Sequence, residues 1–567
     1  MDSQIQRLLK FALMSFMCMV PLLVHGANYD FKVDGLCYVV NSDGTSVSVT
    51  SENTTNPRYS NLTGNVSIPS KVTHQSKSYN VTAIKQSAFM LCEGITSVSI
   101  ANSVISIDSE AFSHCTGLIY LTLPNQLRTI GSRSFSNCTN ILSVTIPDSI
   151  ETIGDNAFGG CTSLAFIDFP DKVFTLGTNV FYGTAWLNSQ PNGLLYIGAM
   201  AFKFIGWMPE GSAVTIKDGT QAISPQCFAG CKWLASVDIP QSVTQIGQLA
   251  FSGCRGLSAI SLPEAITQIN SYTFNGCVSL TSIRIPNSVT HIGYEAFKAC
   301  SKLKNVSLPT SLAEVVDCAF SECSSLESMV LPQSVTELGG GAFNGCTNLA
   351  SVTLSPNIKH IRGYTFYDCT NLASVRLPER LESIDEYSFN GCTSLSDLDL
   401  PLTLQSIGDY AFANCSGLTN VKLPASMLSL GYDVFQGCSA LQEVMSLALT
   451  PPTAHEDESG YEGQFYVVYP GTFNGIDKDN CVLRVFESAM TDYGKAKGWR
   501  QFTHREPINE SEHVPGDING DCIVDIADVN AVINVMLGKS LTPADVTGDG
   551  IVDISDVNAV INIMLGK

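Results

Sequence analysis

Apolar and polar positions recur on a fixed period along most of this chain. Phe89, Phe112, Phe135, Phe158 and Phe181 are 23 residues apart. The same spacing runs through Phe228, Phe251, Phe274, Phe297, Phe320, Phe343, Phe366, Phe389, Phe412 and Phe435. After every one of these except Phe181 a Cys stands three residues later, from Cys92 to Cys438, and Thr184 holds that place in the exception. Residues 280–300, LTSIRIPNSVTHIGYEAFKAC, illustrate the template LxxVxIPxxVxxIGxxAFxxC. The alternation in SIRI predicts a short strand with Ile283 and Ile285 inward and Ser282 and Arg284 outward. Pro286 cannot continue its ladder and closes it. Val289 and Ile292 supply a second inward-facing side. Ala296, Phe297 and Cys300 lie at one-turn spacing and predict a short helical turn on a third side. One such unit cannot bury its apolar faces alone, whereas stacked units can, so the pattern predicts a solenoid.

A fixed period in this range with leucine-like positions is a leucine-rich-repeat signature, and the template resembles the BspA-like (Treponema-type) leucine-rich repeat of bacterial surface proteins. The resemblance covers roughly residues 27–506. YDFKVDGLCYVV is similar to that family's N-terminal β-hairpin cap, and VSIPSKVTHQSKSYNVTAIKQSAF to its first, longer coil. CVLRVFESAMTDYGKAKGWRQF (481–502) resembles its closing segment. The expected organisation is a signal peptide (1–26), cap and first coil (27–86), repeats (87–443), C-terminal cap (444–506), linker (507–514) and a terminal module (515–567). The resemblance implies a surface or secreted location and a role in adhesion or protein binding, and it does not imply catalysis; the ligand expected for the solenoid is a protein or a glycan.

Residues 182–227 break the period. PNGLLYIGAMAFKFIGWMPEG reads as a hairpin with Asn192-Gly193 at or beside its entry turn. Tyr182, Trp186, Tyr196, Phe202, Phe204 and Trp207 collect there. They either repack a coil that has lost its pattern or form an aromatic platform. Elsewhere the outward strand positions are small, polar and mostly neutral, as in Ser143/Thr145 and Asn305/Ser307. Residues 444–480 contain PPTAHEDESGYEGQF, an acidic loop read as part of the C-terminal cap.

Charge narrows the partners. A net charge of −21 disfavours nucleic acid and anionic membrane surfaces, which need a basic footprint. Arg7 and Lys10, then an apolar run from Phe11 to Val24, then small or β-branched residues ending at Gly26, read as an export signal. That run is shorter than a membrane span. The expected product is secreted, or held at a cell surface through its terminal module. Twenty cysteines in an exported chain would ordinarily suggest a disulfide framework. Fourteen of them share one repeat position, where parallel Cβ vectors give poor disulfide geometry. A buried ladder of reduced thiols follows; scattered histidines do not suit zinc. No G-x-S-x-G, H-E-x-x-H or dinucleotide fingerprint occurs. GKS at 538–540 is similar to a phosphate loop but has Ile533 where its first Gly belongs. The chain is therefore read as not an enzyme.

The C-terminus carries a near-duplicate, DINGDCIVDIAD (517–528) and DVTGDGIVDISD (545–556). Oxygens at loop positions 1, 3, 5, 7, 9 and 12 wrap calcium, a hard cation wanting six to eight oxygens. These positions are Asp517, Asn519, Asp521, the Ile523 carbonyl, Asp525 and Asp528, then Asp545, Thr547, Asp549, the Ile551 carbonyl, Asp553 and Asp556. Each loop runs into a helix with an apolar stripe: Val529, Val532, Ile533, Met536 and Leu537, then Val557, Val560, Ile561, Met564 and Leu565. Gly538 and Gly566 follow as C-caps. Cys522 replaces the sharp-turn Gly, and Thr547 replaces an amide or carboxylate ligand. With no entering helix, the pair resembles a type I dockerin. That resemblance implies two Ca2+ ions and a cohesin-bearing scaffold or surface protein as partner. It places partner contacts at Ile526, Ala527, Ile533 and Asn534 and at Ile554, Ser555, Ile561 and Asn562. The near-identity of the halves leaves open two docking orientations. The fold expected overall is a leucine-rich-repeat-like solenoid of short strands and short helical turns, followed by a small all-α calcium-binding dockerin. An accessory subunit of a cellulosome-like, polysaccharide-degrading complex is the second reading.

Overall fold

The computed structural model describes residues 28–508 (except 57, 463 and 464), 526–537, 552 and 554–564. These fall into two compact units, one ending at Ala199 and one beginning at Met200.

The first unit opens with the expected hairpin. Phe31–Val33 pairs antiparallel with Leu36–Val40. The turn is Asp34-Gly35, with φ of 49° and 82°, the positive pair that a two-residue hairpin needs. Leu36–Val40 then pairs antiparallel with Ser46–Thr50, which lies parallel to Lys77–Ile84. From there coil follows coil in parallel register. Thr129-Ile130 pairs with Thr152-Ile153, and Ser143–Thr145 pairs with Phe166–Asp168.

The second unit repeats the same coil. Ser282–Arg284 pairs with Asn305–Ser307 and His291-Ile292 with Glu314-Val315, each shifted by one period. Ile283, Ile285, Val289, Ile292, Phe297, Cys300 and Leu303 are buried, while Ser282 and Arg284 face out, as the pattern requires.

The third side is where the backbone departs from an α-helix. In coil 293–300 the amides alternate. Ala296, Lys298 and Cys300 donate three residues back, to Gly293, Glu295 and Phe297. Glu295, Phe297 and Ala299 donate instead to Asp317, Ala319 and Ser321 of the next coil. The alternation needs left-handed residues on both sides of the Phe: Glu295 has φ 50° and Ala299 has φ 58°. Residues two before and two after the Phe take this conformation throughout the array, as Tyr387 and Gly391 also illustrate. The expected helical turn is thus realised as linked i→i−3 turns, and it cannot lengthen into α-helix because its amides are used between coils.

The Phe rings stack into a column in each unit. In the first, Tyr59, Phe89, Phe112, Phe135, Phe158 and Phe181 lie 4.8–5.8 Å apart, nearly parallel. Tyr59 begins the column, its hydroxyl accepting from the Cys37 amide. Trp186 packs edge-on against Phe181 at its far side. Thr184 uses its hydroxyl to cap the short helix Ala185–Asn188 that carries Trp186. Trp186 therefore repacks the altered coil, one of the two outcomes expected for the aromatic cluster. Tyr182 stays exposed in this unit. In the second unit Phe202 is buried and Trp207 exposed.

In the second unit the column runs from Phe228 to Phe435 and gains one further ring, Phe473. Phe473 follows Phe435 by 38 residues rather than 23. The extra length holds an antiparallel hairpin, Glu458–Glu462 with Phe465–Tyr469, inside the segment expected to be an acidic loop. Trp499 and Phe502 close the column, with Trp499 Nε1 donating to the Pro452 carbonyl at 2.8 Å.

The ladder cysteines are free and, apart from the half-buried Cys231, buried beside the column. Each buried thiol from Cys115 onward donates to the Phe carbonyl of the preceding coil. Cys115 reaches Phe89 at 3.0 Å, Cys300 reaches Phe274 at 3.2 Å and Cys438 reaches Phe412 at 3.1 Å. The thiol is thus a donor between coils as well as a small apolar filler.

Candidate functional site

The C-terminal module presents two matched helices, Ile526–Met536 and Ile554–Met564. Valines at one-turn spacing join them: Val529, Val532, Val557 and Val560 form a buried core, with Val535, Val552 and Ile561 packed against it. The apolar stripe read from the sequence divides here. Its first residues, Val529 and Val532, face inward, but Ile533, Met536 and Leu537 are 37%, 41% and 61% exposed. Val535 takes the inward place, packed against the valine core. On the second helix Ile561 stays half-buried.

Asp528 and Asp556, the twelfth positions of the two acidic loops, are fully buried in the first turns of these helices. A carboxylate is costly to remove from water unless compensated by charge or hydrogen bonds. The helix N-terminus favours the anion by a fraction of a kcal/mol to about 1 kcal/mol. A hard cation bound by oxygen ligands would supply the larger compensation, so these two residues fit calcium. Asp517, Asn519, Asp521, Ile523, Asp525, Asp545, Thr547, Asp549, Ile551 and Asp553 lie outside the described residues, as do Gly538, Leu565 and Gly566. Among the described residues no group of three or more His, Cys, Asp or Glu side chains could hold a metal.

The eight expected partner-contact residues sit mostly on the outer surface. Ile526 and Ile554 are 63% and 61% exposed, Asn534 and Asn562 are exposed, and Ala527 and Ser555 are half-buried. Equivalent positions of the two helices thus have nearly equal environments, apart from the pair Ile533 and Ile561.

The solenoid strand faces are polar, with one aromatic interruption in the first unit. Tyr120 and Phe166 flank Ser143 in register and are 66% and 74% exposed. Among the described residues no helix is long and apolar enough to cross a membrane.

Comparison with known proteins agrees with this geometry. The model of the BspA type leucine rich repeat region matches residues 82–206, 197–327 and 313–442. The model of the dockerin type I domain matches residues 515–565. No curated protein matches the chain. Among solved structures, a leucine-rich repeat protein from Bacteroides ovatus is 29% identical, with a TM-score of 0.40, over 74% of this chain and 94% of that one. A leucine-rich repeat protein from Eubacterium ventriosum is 19% identical, with a TM-score of 0.37, over 72% and 94%. A leucine rich cell surface protein from Faecalibacterium prausnitzii is 23% identical, with a TM-score of 0.27, over 76% and 96%.

Proposed function

This chain belongs to the BspA-type leucine-rich repeat family, and from that premise we propose that it is an exported, non-catalytic binding protein attached through its type I dockerin. The solenoid supplies the recognition surface for a protein or glycan. The dockerin folds around two calcium ions and docks to a cohesin on a scaffold or surface protein. Type I dockerins bind calcium, and both module types are non-catalytic. The observation that carries the reading is the matched helix pair, with a buried acid at the same position of each first turn and an exposed Ile two residues before it. The acids face the ion sites, while Ile526, Ala527, Ile533 and Asn534, with Ile554, Ser555, Ile561 and Asn562, form the docking surface. Asp517, Asn519, Asp521, the Ile523 carbonyl and Asp525 would complete the first ion site. Asp545, Thr547, Asp549, the Ile551 carbonyl and Asp553 would complete the second. The similar environments of the halves support docking in either of two orientations.

Calcium calorimetry on the full chain tests the metal reading. Two binding events are expected, one lost in Asp528→Ala and the other in Asp556→Ala. Calcium-independent capture by every cohesin that binds would refute it. The exposed Tyr120 and Phe166 favour a second reading, an accessory glycan-binding subunit of a polysaccharide-degrading complex. Glycan binding lost in Tyr120→Ala and Phe166→Ala would support that, and binding unchanged in both would remove these two rings as its ground.

A further inference from the structure

On the turn side of the second unit, several of the left-handed positions two residues before a ladder Phe carry tyrosine. Tyr410, Tyr387 and Tyr364 occupy successive rungs there. Their rings stack at 4.8 Å and 6°, then 4.9 Å and 10°. Tyr367 leans on two of these rings from the side. The next rung is Gly341, and the stack stops, leaving Tyr364 42% exposed. The rung beyond is Cys318, again without a ring. A recess of about 730 Å3 opens here, floored by Gly339–Gly341 and Cys318 and walled by Tyr294 and Tyr364. The backbone does not require this gap. Gly341 has φ 62°, while tyrosines adopt 61°, 56° and 56° at the three following rungs.

We infer that this recess binds one pyranose ring of a neutral glycan, seated at the empty rung with its C–H face on Tyr364. The inference rests on the reading of the solenoid as a ligand-binding array. A planar or near-planar ring placed over Gly341 would continue an established stack, and an uncovered aromatic face favours such a group. The rim decides which ring. Glu314 and Glu337 offer acceptors, while Arg362 and Asn344 offer donors. The Arg362 guanidinium stands 4.0 Å from the Glu337 carboxylate. A pyranose carries donors and acceptors around its whole edge and can replace the water on all of these groups. An aromatic side chain has at most one polar atom and would leave most of them desolvated and unpaired. Three lining carboxylates, those of Glu314, Asp317 and Glu337, against one guanidinium disfavour an acidic sugar.

The test uses the full-length protein, an array of neutral gluco-, galacto-, manno- and xylo-oligosaccharides, and calorimetry on those retained. Gly341→Tyr completes the stack and fills the slot; its Cβ meets Cys318 Sγ at 3.1 Å, which a small thiol movement relieves. Left-handed strain at φ 62° and stacking on Tyr364 are of similar size and opposite sign, so this variant should melt close to the wild type while losing glycan affinity about tenfold or more. Tyr364→Ala should lose a similar factor, and Tyr364→Phe, which keeps the ring face, should bind like the wild type. Retention of no neutral glycan, or equal binding by wild type and Gly341→Tyr, overturns the inference. A protein ligand displaced by Gly341→Tyr reassigns the slot to a side chain and also overturns it. Cohesin capture should be the same in all these variants, so the docking reading stands or falls separately.

Discussion

The thiol ladder sets an alkaline limit to stability. In the second unit the nine ladder cysteines from Cys254 to Cys438 are buried, and desolvation raises each thiol pKa above its ordinary value of 9.0. For Cys300, Cys346 and Cys438 it reaches about 12. A raised folded-state value means that the folded protein holds protons which the unfolded chain releases. The contribution is intact below pH 9 and is lost as pH climbs from there toward 12. Within that window each thiol in the unfolding block costs about 1.4 kcal/mol per pH unit. All nine together would cost about 12 kcal/mol at pH 10, comparable with the whole stability of an ordinary domain, about 5–15 kcal/mol. Solenoids can open in blocks, so a single variant is the cleaner measurement. Cys346→Ala removes one titrating thiol. Urea unfolding in reductant at pH 7.5, 9 and 10, followed by circular dichroism, should show the variant less stable at pH 7.5 by about 1 kcal/mol. That gap should shrink by about 1.4 kcal/mol in all from pH 7.5 to 10, about 1 kcal/mol of it between pH 9 and 10, and so reverse. Buried tyrosines such as Tyr493, also raised to about 12 by desolvation, titrate in both proteins and cancel. A gap that stays constant across this range would refute the argument.

Other perturbations probe different parts of the coil. Phe320 is fully buried between Phe297 and Phe343; Phe320→Ala should cost about 3–5 kcal/mol. Hydrogen exchange should show the loosening concentrated in the adjoining coils, and a uniform change would count against nearest-neighbour packing. Ala299 sits at φ 58° where the preceding coil has Gly276. Ala299→Gly relieves about 1–2 kcal/mol of left-handed strain against about 0.5–1 kcal/mol of chain entropy. A small rise in urea midpoint is expected, and a clear fall would refute the strain argument. In the C-terminal cap, Arg500 donates two hydrogen bonds to Glu456 and holds that carboxyl below its ordinary 4.5. The pair contributes in full above that value and fades as pH falls through the lowered one. The stability difference between wild type and Arg500→Ala should therefore shrink between pH 6 and 3; an unchanged difference would exclude the pair as its source.

The parts of this fold that repeat were legible, because burial writes them as period and alternation. Ile283, Ile285, Val289 and Phe297 face inward as their spacing requires, and the hairpin expected in YDFKVDGLCYVV is present. The left-handed rungs were less visible. Gly391 and Gly437 signal φ above zero after the Phe, but Tyr387 or Glu295 before it gives no such hint, since stacking and inter-coil hydrogen bonds hold the residue there. The thiol-to-carbonyl bonds were hidden for a similar reason: spacing shows that a Cys is buried, not which carbonyl the preceding coil brings to it. Phe473 escaped the period because a hairpin intervenes. In the helix pair, periodicity could not separate Val532, which meets its partner helix, from Ile533, which meets solvent, because both belong to one apolar arc. The empty rung at Gly341 emerges only when coils are laid over one another, since a single glycine in a linear pattern reads as an ordinary turn.

The first ring column begins on Tyr59 and the second finishes on Trp499 with Phe502, residues outside the period. The interior rungs meet only copies of themselves. A gene could therefore gain or lose 69 nucleotides, one coil, without asking either closure to change. A length that is not a whole coil has to leave the stack, as the hairpin between Phe435 and Phe473 does. Reach is thus the easily inherited variable of this architecture.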